Sequence, residues 1–222
     1  MKTAAVIFDM DGLLFDTERL YLEQSKITER EMGCHIPMEL QLETIGRTIQ
    51  DCRKIYFSHF GDDFPVDKFM ISNKKLVHAY IEREGLPIKP GAEELIAELR
   101  DRGTCLMLAS SSPHRMIEKN LLMSGLKDYF HEIISGEDVA AGKPAPDIFL
   151  KAAERADQEP GNCIVLEDSN NGVRAAYAAG MRPVMVPDVK QPEADVKEML
   201  YRIYADLHEV RRDLDRIIYM VP

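Results

Sequence analysis

The sequence predicts an α/β fold with a doubly wound, parallel, Rossmann-like sheet and a helical cap domain inserted after the first strand. Short apolar runs rich in β-branched residues alternate along the chain with amphipathic helical periods. This alternation is typical of a parallel sheet covered by helices on both faces. More than ninety residues separate the first apolar run from the second, which is far longer than a single crossover helix requires.

Five apolar runs are predicted as strands. Their apolarity is continuous rather than alternating, which indicates strands that are buried on both faces. The runs cover residues 4–8, 105–109, 132–134, 163–166 and 183–186. Between them the periodicity predicts a helix over residues 92–102, with Leu95, Ile96 and Leu99 on one face, and a weaker helix that ends at Gly180.

The long gap after the first strand is predicted to hold an all-helical insert. Four segments with helical periodicity fill it, and the turn-rich string GLPIKPG closes it. The segments are TERLYLEQSKITEREM, PMELQLETIG, IQDCRKIYFSHF and VDKFMISNKKLVHAYIERE. The predicted domains are therefore a core formed by residues 1–16 and 87–222, and a helical cap formed by residues 17–86.

Composition limits the classes of function. The chain has 222 residues and a formal charge of −10, with no basic stripe, so we expect no nucleic-acid partner. No apolar run approaches the roughly 18 residues of a membrane helix, and the first residues lack the features of a secretory signal. We therefore expect no membrane association and a cytoplasmic protein, with a monomer as the default. The four cysteines form no CxxC pair, and free thiols are expected.

Polar residues follow four of the predicted strands at their carboxyl ends, where open parallel sheets bind ligands. They are Asp9 and Asp11 after the first strand, Ser110-Ser111-Ser112 after the second, Lys143 beyond the third, and Glu167 and Asp168 after the fourth. Each has an ordinary interpretation by itself: a turn or calcium loop, a helix cap, a surface lysine, a pair of loop acids. The DxDG string does not continue as an EF-hand. The joint placement of the four groups predicts a functional site.

The acids of this group favour a divalent cation. Asp9 and Asp11 lie two residues apart on an extended segment, so their side chains start on the same side. With Asp168 nearby, these carboxylates repel one another, and a bound cation relieves the repulsion. An all-oxygen ligand set without His or Cys favours Mg²⁺ over zinc. We therefore expect Mg²⁺ as the cofactor, with Asp9, Asp11 and Asp168 as its ligands.

Around a bound phosphate monoester, the same residues take distinct roles. Asp9 attacks phosphorus as the nucleophile, and Asp11 protonates the leaving oxygen and then accepts a proton from the hydrolytic water. Lys143 and Ser110 bind phosphate oxygens, and Ser111 is a further candidate. The sequence thus predicts hydrolysis of a small phosphorylated molecule. A receiver-type signalling module gathers similar residues, but it is much shorter and has no large insert after its first strand.

Four strings resemble, in order, the motifs of the haloacid dehalogenase superfamily, in the capped branch that contains β-phosphoglucomutase and small sugar-phosphate phosphatases. They are VIFDMDGLLFDTE, LASSS, GKPAPDIFL and VLEDSNNGVRAAYAAGM, and the resemblance covers nearly the whole chain. It implies the roles given above and adds Glu167 to the metal shell, directly or through water. It also implies that residues 17–86 form a cap that closes over the substrate.

Two cap positions depart from the mutase pattern within this resemblance. The mutase has a histidine twelve residues after the nucleophile, where this chain has Tyr21, and an arginine in a G-x-S-R string, where this chain reads Gly46-Arg47-Thr48. Both differences favour hydrolysis, and phosphotransfer of the β-phosphoglucomutase type is the alternative. Glu18 and Tyr21 are candidates for contacting the leaving group. Arg47 is a candidate for binding the substrate or for a solvated helix end.

Overall fold

The structure is a computed structural model that describes residues 5–45 and 49–219. It splits into two compact units, Met1–Phe15 with Ile88–Pro222 and Asp16–Pro87, which we call the core and the insert. Within the core, Phe15 pairs with Ile88 in an antiparallel bridge, and the Lys89 N–H donates to the Leu14 carbonyl at 2.8 Å. The two chain segments that lead to and from the insert are therefore held side by side.

The core is built on a parallel sheet with the strand order β3-β2-β1-β4-β5-β6. Its strands are β1 (Ala5–Phe8), β2 (Cys105–Ser110), β3 (Glu132–Ser135), β4 (Cys163–Glu167), β5 (Arg182–Met185) and β6 (Arg202–Ile203). The predicted doubly wound α/β class is confirmed. The ends of five strands lie within one residue of the predicted ends. The sequence does not predict β6, because two residues are too few for a periodic signal.

The insert consists of helices. They are α1 (Thr17–Met32), α2 (Met38–Thr44), α3 (Ile49–Phe60) and α4 (Val66–Glu84). Three of them coincide with the predicted segments residue for residue, whereas α2 is shorter than the predicted PMELQLETIG. The insert has its own apolar core, in which the Tyr56 ring lies 6.0 Å from Phe64 and 5.7 Å from Phe69 between ring centroids. Its predicted role as a cap remains a prediction.

Within the described residues, seven α-helices complete the core. They are α5 (Ala92–Asp101), α6 (His114–Ser124), α7 (Asp147–Arg155), α8 (Asn170–Ala178), α9 (Ala194–Met199), α10 (Leu207–Arg212) and α11 (Leu214–Ile218). Alternate strand residues face opposite sides of the sheet. Ile7 packs with Phe149 of α7 in one apolar cluster, and on the next residue Phe8 meets the edge of Phe130 with 5.8 Å between ring centroids. Both faces of the sheet are therefore buried, as the continuous apolar runs predict.

Two further features bear on the expectations from sequence. The four cysteines are free thiols. No helix in the described part of the chain combines the length and the apolar character that a bilayer crossing requires.

Candidate active site

The site lies at the carboxyl ends of β1 and β4, the two central strands of the sheet. The strand order reverses here, because the chain continues from β1 to β2 on one side and later returns to β4 on the other. Asp9 follows β1 directly, and its N–H donates to the Leu166 carbonyl of β4 at 3.0 Å. Glu167 ends β4 and Asp168 follows it, so three carboxylates from two neighbouring strands meet.

Lys143 links these acids. It precedes α7, and its Nζ lies 2.5 Å from Asp9 Oδ1 and 2.6 Å from Glu167 Oε1. The ammonium also lies 4.8 Å from the centroid of the Phe149 ring, and its side chain is only 6% exposed. Since a buried charge is stable only when it is paired, Lys143 and the two carboxylates depend on one another.

Burial dominates the electrostatics of Asp9. It raises the pKa of the Asp9 carboxyl to about 7, and the negative charges of Glu167 and Asp11 add to the rise, while Lys143 opposes it. For Lys143, burial alone would lower the pKa of the ammonium, but the carboxylates of Asp9 and Glu167 outweigh that effect and raise it. Lys143 is therefore a permanent positive charge beside a carboxyl group that titrates near neutrality.

Glu167 is held on both carboxylate oxygens. Its Oε1 accepts from Lys143, and its Oε2 accepts from the N–H of Ser169 at 2.8 Å and from the Ser169 hydroxyl at 2.9 Å. Ser169 is also the N-cap of α8, where its hydroxyl accepts from the Gly172 N–H at 3.1 Å. The first turn of α8 and the end of β4 thus form one hydrogen-bonded unit around Glu167.

Two glycines permit this close packing. A Cβ at Gly172 would lie 1.8 Å from Glu167 Oε1, and a Cβ at Gly12 would lie 2.3 Å from Asp168 Oδ2. Gly12 also has a φ of +87°, which L-residues with a side chain rarely adopt. Reasoning from sequence did not assign either glycine to the site, although the DxDG and NNG strings contain them.

The acids fit a hard divalent cation. In the described ranges, 5–45 and 49–219, Asp9, Glu167 and Asp168 each offer one carboxylate oxygen, and these oxygens lie within 4.8 Å of one another. All three residues are buried. Oxygen-only donors suit Mg²⁺, and a cation here would relieve the repulsion among the three carboxylates. Asp11, also predicted as a ligand, is not in this group of three.

The serines after β2 occupy different environments. Ser110 is buried, and its hydroxyl accepts from the Ser112 N–H at 3.1 Å; a hydroxyl that accepts one hydrogen bond can still donate its proton. Ser111 is exposed. Ser112, for which the sequence suggested only a turn or a helix cap, donates its hydroxyl proton to Asp11 Oδ2 at 2.8 Å. Thus a serine from the second strand end contacts the predicted acid/base.

The predicted cap residues are placed in part. Glu18 and Tyr21 lie on α1, and both are half-buried. The backbone carbonyl of Tyr21 accepts from the Asn73 side chain of α4 at 3.2 Å. Arg47 lies outside the described residues. The roles of these three residues in substrate recognition remain predictions.

A sequence model of the haloacid dehalogenase-like hydrolases matches residues 3–180. The chain belongs to this family. The family match spans the four strings quoted above except for Met181, the last residue of the fourth string, and the recognition that they support is therefore confirmed.

Relatives of this hydrolase agree with the family. A probable pseudouridine-5′-phosphatase from Drosophila melanogaster, a class whose motifs these strings also resemble, is 36% identical over 84% of this chain and 83% of its own length. Hexitol phosphatase B from Escherichia coli K12 is 34% identical over 86% of this chain and 85% of its own length. A crystal structure of a HAD family hydrolase from Deinococcus radiodurans R1, with bound phosphate and sodium, has a TM-score of 0.80 at 26% identity, covering 97% of this chain and 96% of that one.

Proposed function

We propose that this hydrolase is a Mg²⁺-dependent phosphatase that cleaves the monoester of a small phosphorylated metabolite, a sugar phosphate or a nucleoside phosphate, through a phosphoaspartate on Asp9. The observation that supports it most strongly is the buried placement of Lys143 between Asp9 and Glu167, beside an acid group suited to a cation. That the enzyme acts as a cytoplasmic monomer stays a prediction from the sequence.

The first half-reaction transfers the phosphoryl group to the protein. A carboxylate oxygen of Asp9 forms a bond to phosphorus, and the bond from phosphorus to the ester oxygen breaks with its electron pair on that oxygen. Asp11 supplies the proton that the leaving oxygen needs. Lys143 and the Ser110 hydroxyl stabilise the negative charge on the phosphoryl oxygens.

The second half-reaction releases phosphate. Asp11, now a carboxylate, accepts a proton from water as the water oxygen bonds to phosphorus, and the bond between phosphorus and Asp9 breaks. Asp9, Asp168 and Glu167, the last directly or through water, would hold Mg²⁺. When bound, the cation neutralises charge that develops on the transferring phosphoryl group. Lys143 lowers the pKa of Asp9 and so favours its ionised form, which is the form that attacks.

A phosphate-release assay with Mg²⁺ tests the proposal. The panel contains pseudouridine 5′-phosphate and other nucleoside phosphates, hexitol and hexose phosphates, and glycerol phosphates, chosen because relatives are named for the first two classes. We expect catalytic release from at least one compound. Asp9→Asn should abolish release, because an amide cannot act as the nucleophile, whereas Asp101→Asn, at an exposed position on α5, should not change it.

Two results would contradict the proposal. The first is a panel from which the protein releases no phosphate with Mg²⁺ present. The second is interconversion of glucose 1-phosphate and glucose 6-phosphate at a rate above that of phosphate release, which would indicate a β-phosphoglucomutase-like phosphotransfer. The phosphoaspartate can be sought directly with an ester whose phosphoryl group is radiolabelled. Acid quenching during turnover should trap labelled phosphoryl groups on the wild-type protein and none on Asp9→Asn.

A further inference from the structure

Ser112 uses each of its polar groups in a hydrogen bond. Its N–H donates to Ser110 Oγ at 3.1 Å, and its hydroxyl donates to Asp11 Oδ2 at 2.8 Å. Its carbonyl accepts from the hydroxyl of Ser135, at the end of β3, at 2.7 Å. Three bonds in three directions fix both the backbone and the side chain of Ser112.

Ser135 is itself fixed. It is fully buried, and its N–H donates to Asp138 Oδ2 at 2.9 Å. The same Asp138 oxygen lies 2.9 Å from His114 Nε2 on α6. A Cβ at the neighbouring Gly136 would lie 2.8 Å from the Ser111 carbonyl oxygen, so the loops after β2 and β3 are in close contact. The end of β3 therefore supports the turn that contains Ser112.

The Ser112 hydroxyl does not serve the adjacent helix. A serine just before a helix commonly caps its first N–H groups, and this is the ordinary interpretation of the serine cluster. However, Pro113 occupies the N-cap position of α6, with no side-chain cap bond, and the Ser112 hydroxyl points to Asp11, 101 residues away in the chain. The bond joins the turn after β2 to the loop after β1.

We propose that Ser112 is a positioning residue that orients the Asp11 carboxyl group for proton transfer to the leaving oxygen. A carboxyl group on a two-carbon side chain rotates freely unless a neighbour holds it. The Ser112 hydroxyl holds Oδ2, so that the proton passed to the ester oxygen resides on Oδ1. This inference rests on the proposed phosphatase function, because it needs a leaving group that Asp11 protonates.

The dependence of rate on the leaving group tests this role. A phenol that is acidic departs without a proton, whereas a weakly acidic one needs the general acid. We expect Ser112→Ala to lower kcat/KM for phenyl phosphate on the order of tenfold more than for 4-nitrophenyl phosphate. Since kcat/KM covers binding and the steps up to phosphoryl transfer, the change in the ratio of the two values from wild type to Ser112→Ala reports on the dependence on leaving-group protonation.

Two variants make the experiment decisive. Ser112→Thr keeps an O–H donor and should restore the wild-type ratio. Ser124→Ala removes a serine hydroxyl that donates to the Leu121 carbonyl at 3.2 Å at the far end of α6, and it should leave both rates unchanged. If Ser112→Ala lowers both rates by the same factor, the residue is merely structural and the inference is overturned. A wild-type protein that releases no phosphate from these two esters or from any compound of the metabolite panel would refute the proposed function itself, and with it the inference.

Discussion

At the scale of single residues, the site depends on the balance between one buried cation and the acids around it. Lys143 bonds Asp9 and Glu167 at 2.5 and 2.6 Å, and Asp168 is a third buried carboxylate beside them. Burial still raises the pKa of Asp9 to about 7. One ammonium therefore compensates only part of the negative charge, and the remainder is what a divalent cation would neutralise.

We expect the affinity for Mg²⁺ to depend on pH through Asp9. The folded-state pKa is raised, so in the metal-free protein Asp9 is mostly protonated below about pH 7, and a cation must displace that proton. The affinity should fall by up to about tenfold per pH unit below pH 7 and level off above it. Isothermal titration calorimetry of Mg²⁺ binding, repeated across this range of pH, measures the effect.

A pair of lysine variants provides the control for this titration. Lys143 lowers the pKa of Asp9, so Lys143→Met should move the break in the affinity profile to higher pH. Lys151→Met, which removes an ammonium that donates to the Asp138 carbonyl at 2.7 Å, should leave the break in place. An affinity that stays constant from acid to alkaline pH would contradict the assignment of Asp9 as a ligand.

At the scale of elements, the junction between β4 and α8 holds the acids at the site. Ser169 caps α8 and at the same time donates twice to Glu167. The helix can approach this closely because residue 172 is a glycine. The sequence NNG at the start of a helix would ordinarily suggest only weak helix propensity, but here the glycine makes room for a carboxylate.

Gly172→Ala should therefore act against ordinary helix propensity. Replacing glycine by alanine inside a helix usually stabilises it by about 1 kcal/mol. Here the new Cβ would lie 1.8 Å from Glu167 Oε1, and Glu167 cannot move away without leaving Lys143 partly unpaired. We expect a loss of about 1–3 kcal/mol in the free energy of unfolding, measured by urea denaturation, together with loss of phosphatase activity.

Gly161→Ala is the matched control, because a Cβ there would meet no atom within 4 Å. It should leave activity at the wild-type level. Unchanged stability and activity in Gly172→Ala would mean that α8 and Glu167 are less closely packed than the structure indicates.

At the scale of the whole molecule, the last part of the chain completes the core beyond the region that the family model matches. That match ends at residue 180, whereas β5, β6 and α9 to α11 follow it. Helix α10 packs on α5, with Val210 and Ile217 among the buried residues of the C-terminal helices. Arg102 also bonds Asp215 at 2.5 Å on the surface.

Apolar burial should outweigh the ion pair in holding this segment. Ile217 is 2% exposed, and we expect Ile217→Ala to lower the free energy of unfolding by about 2–4 kcal/mol. Arg102 is 31% exposed, and its partners Asp215 and Glu98 are 75% and 26% exposed, so solvent screens both pairs, and Arg102→Ala should cost about 1 kcal/mol or less. Urea denaturation of both variants measures the difference. An Arg102→Ala effect as large as that of Ile217→Ala would reverse this ranking.

The sequence alone determined the class of the fold, the strand ends and the acids and lysine that gather there. It could do so because these features are local. A strand buried on both faces needs a continuous apolar run, the polar residue that follows it marks its end, and parallel strands bring their ends to one edge of the sheet. The family motifs are likewise continuous strings, and Asp9, Glu167 and Asp168 were all expected at this edge.

Only the tertiary structure decided which of these groups touch. Lys143 meets Asp9 across 134 residues of chain and Ser112 meets Asp11 across 101, and no periodicity in the sequence encodes such a pair. The space that Gly172 leaves for Glu167 and the close approach of Gly12 to Asp168 are also set by packing between distant segments. Contacts of this kind depend on strand order and loop geometry, which only the assembled sheet defines.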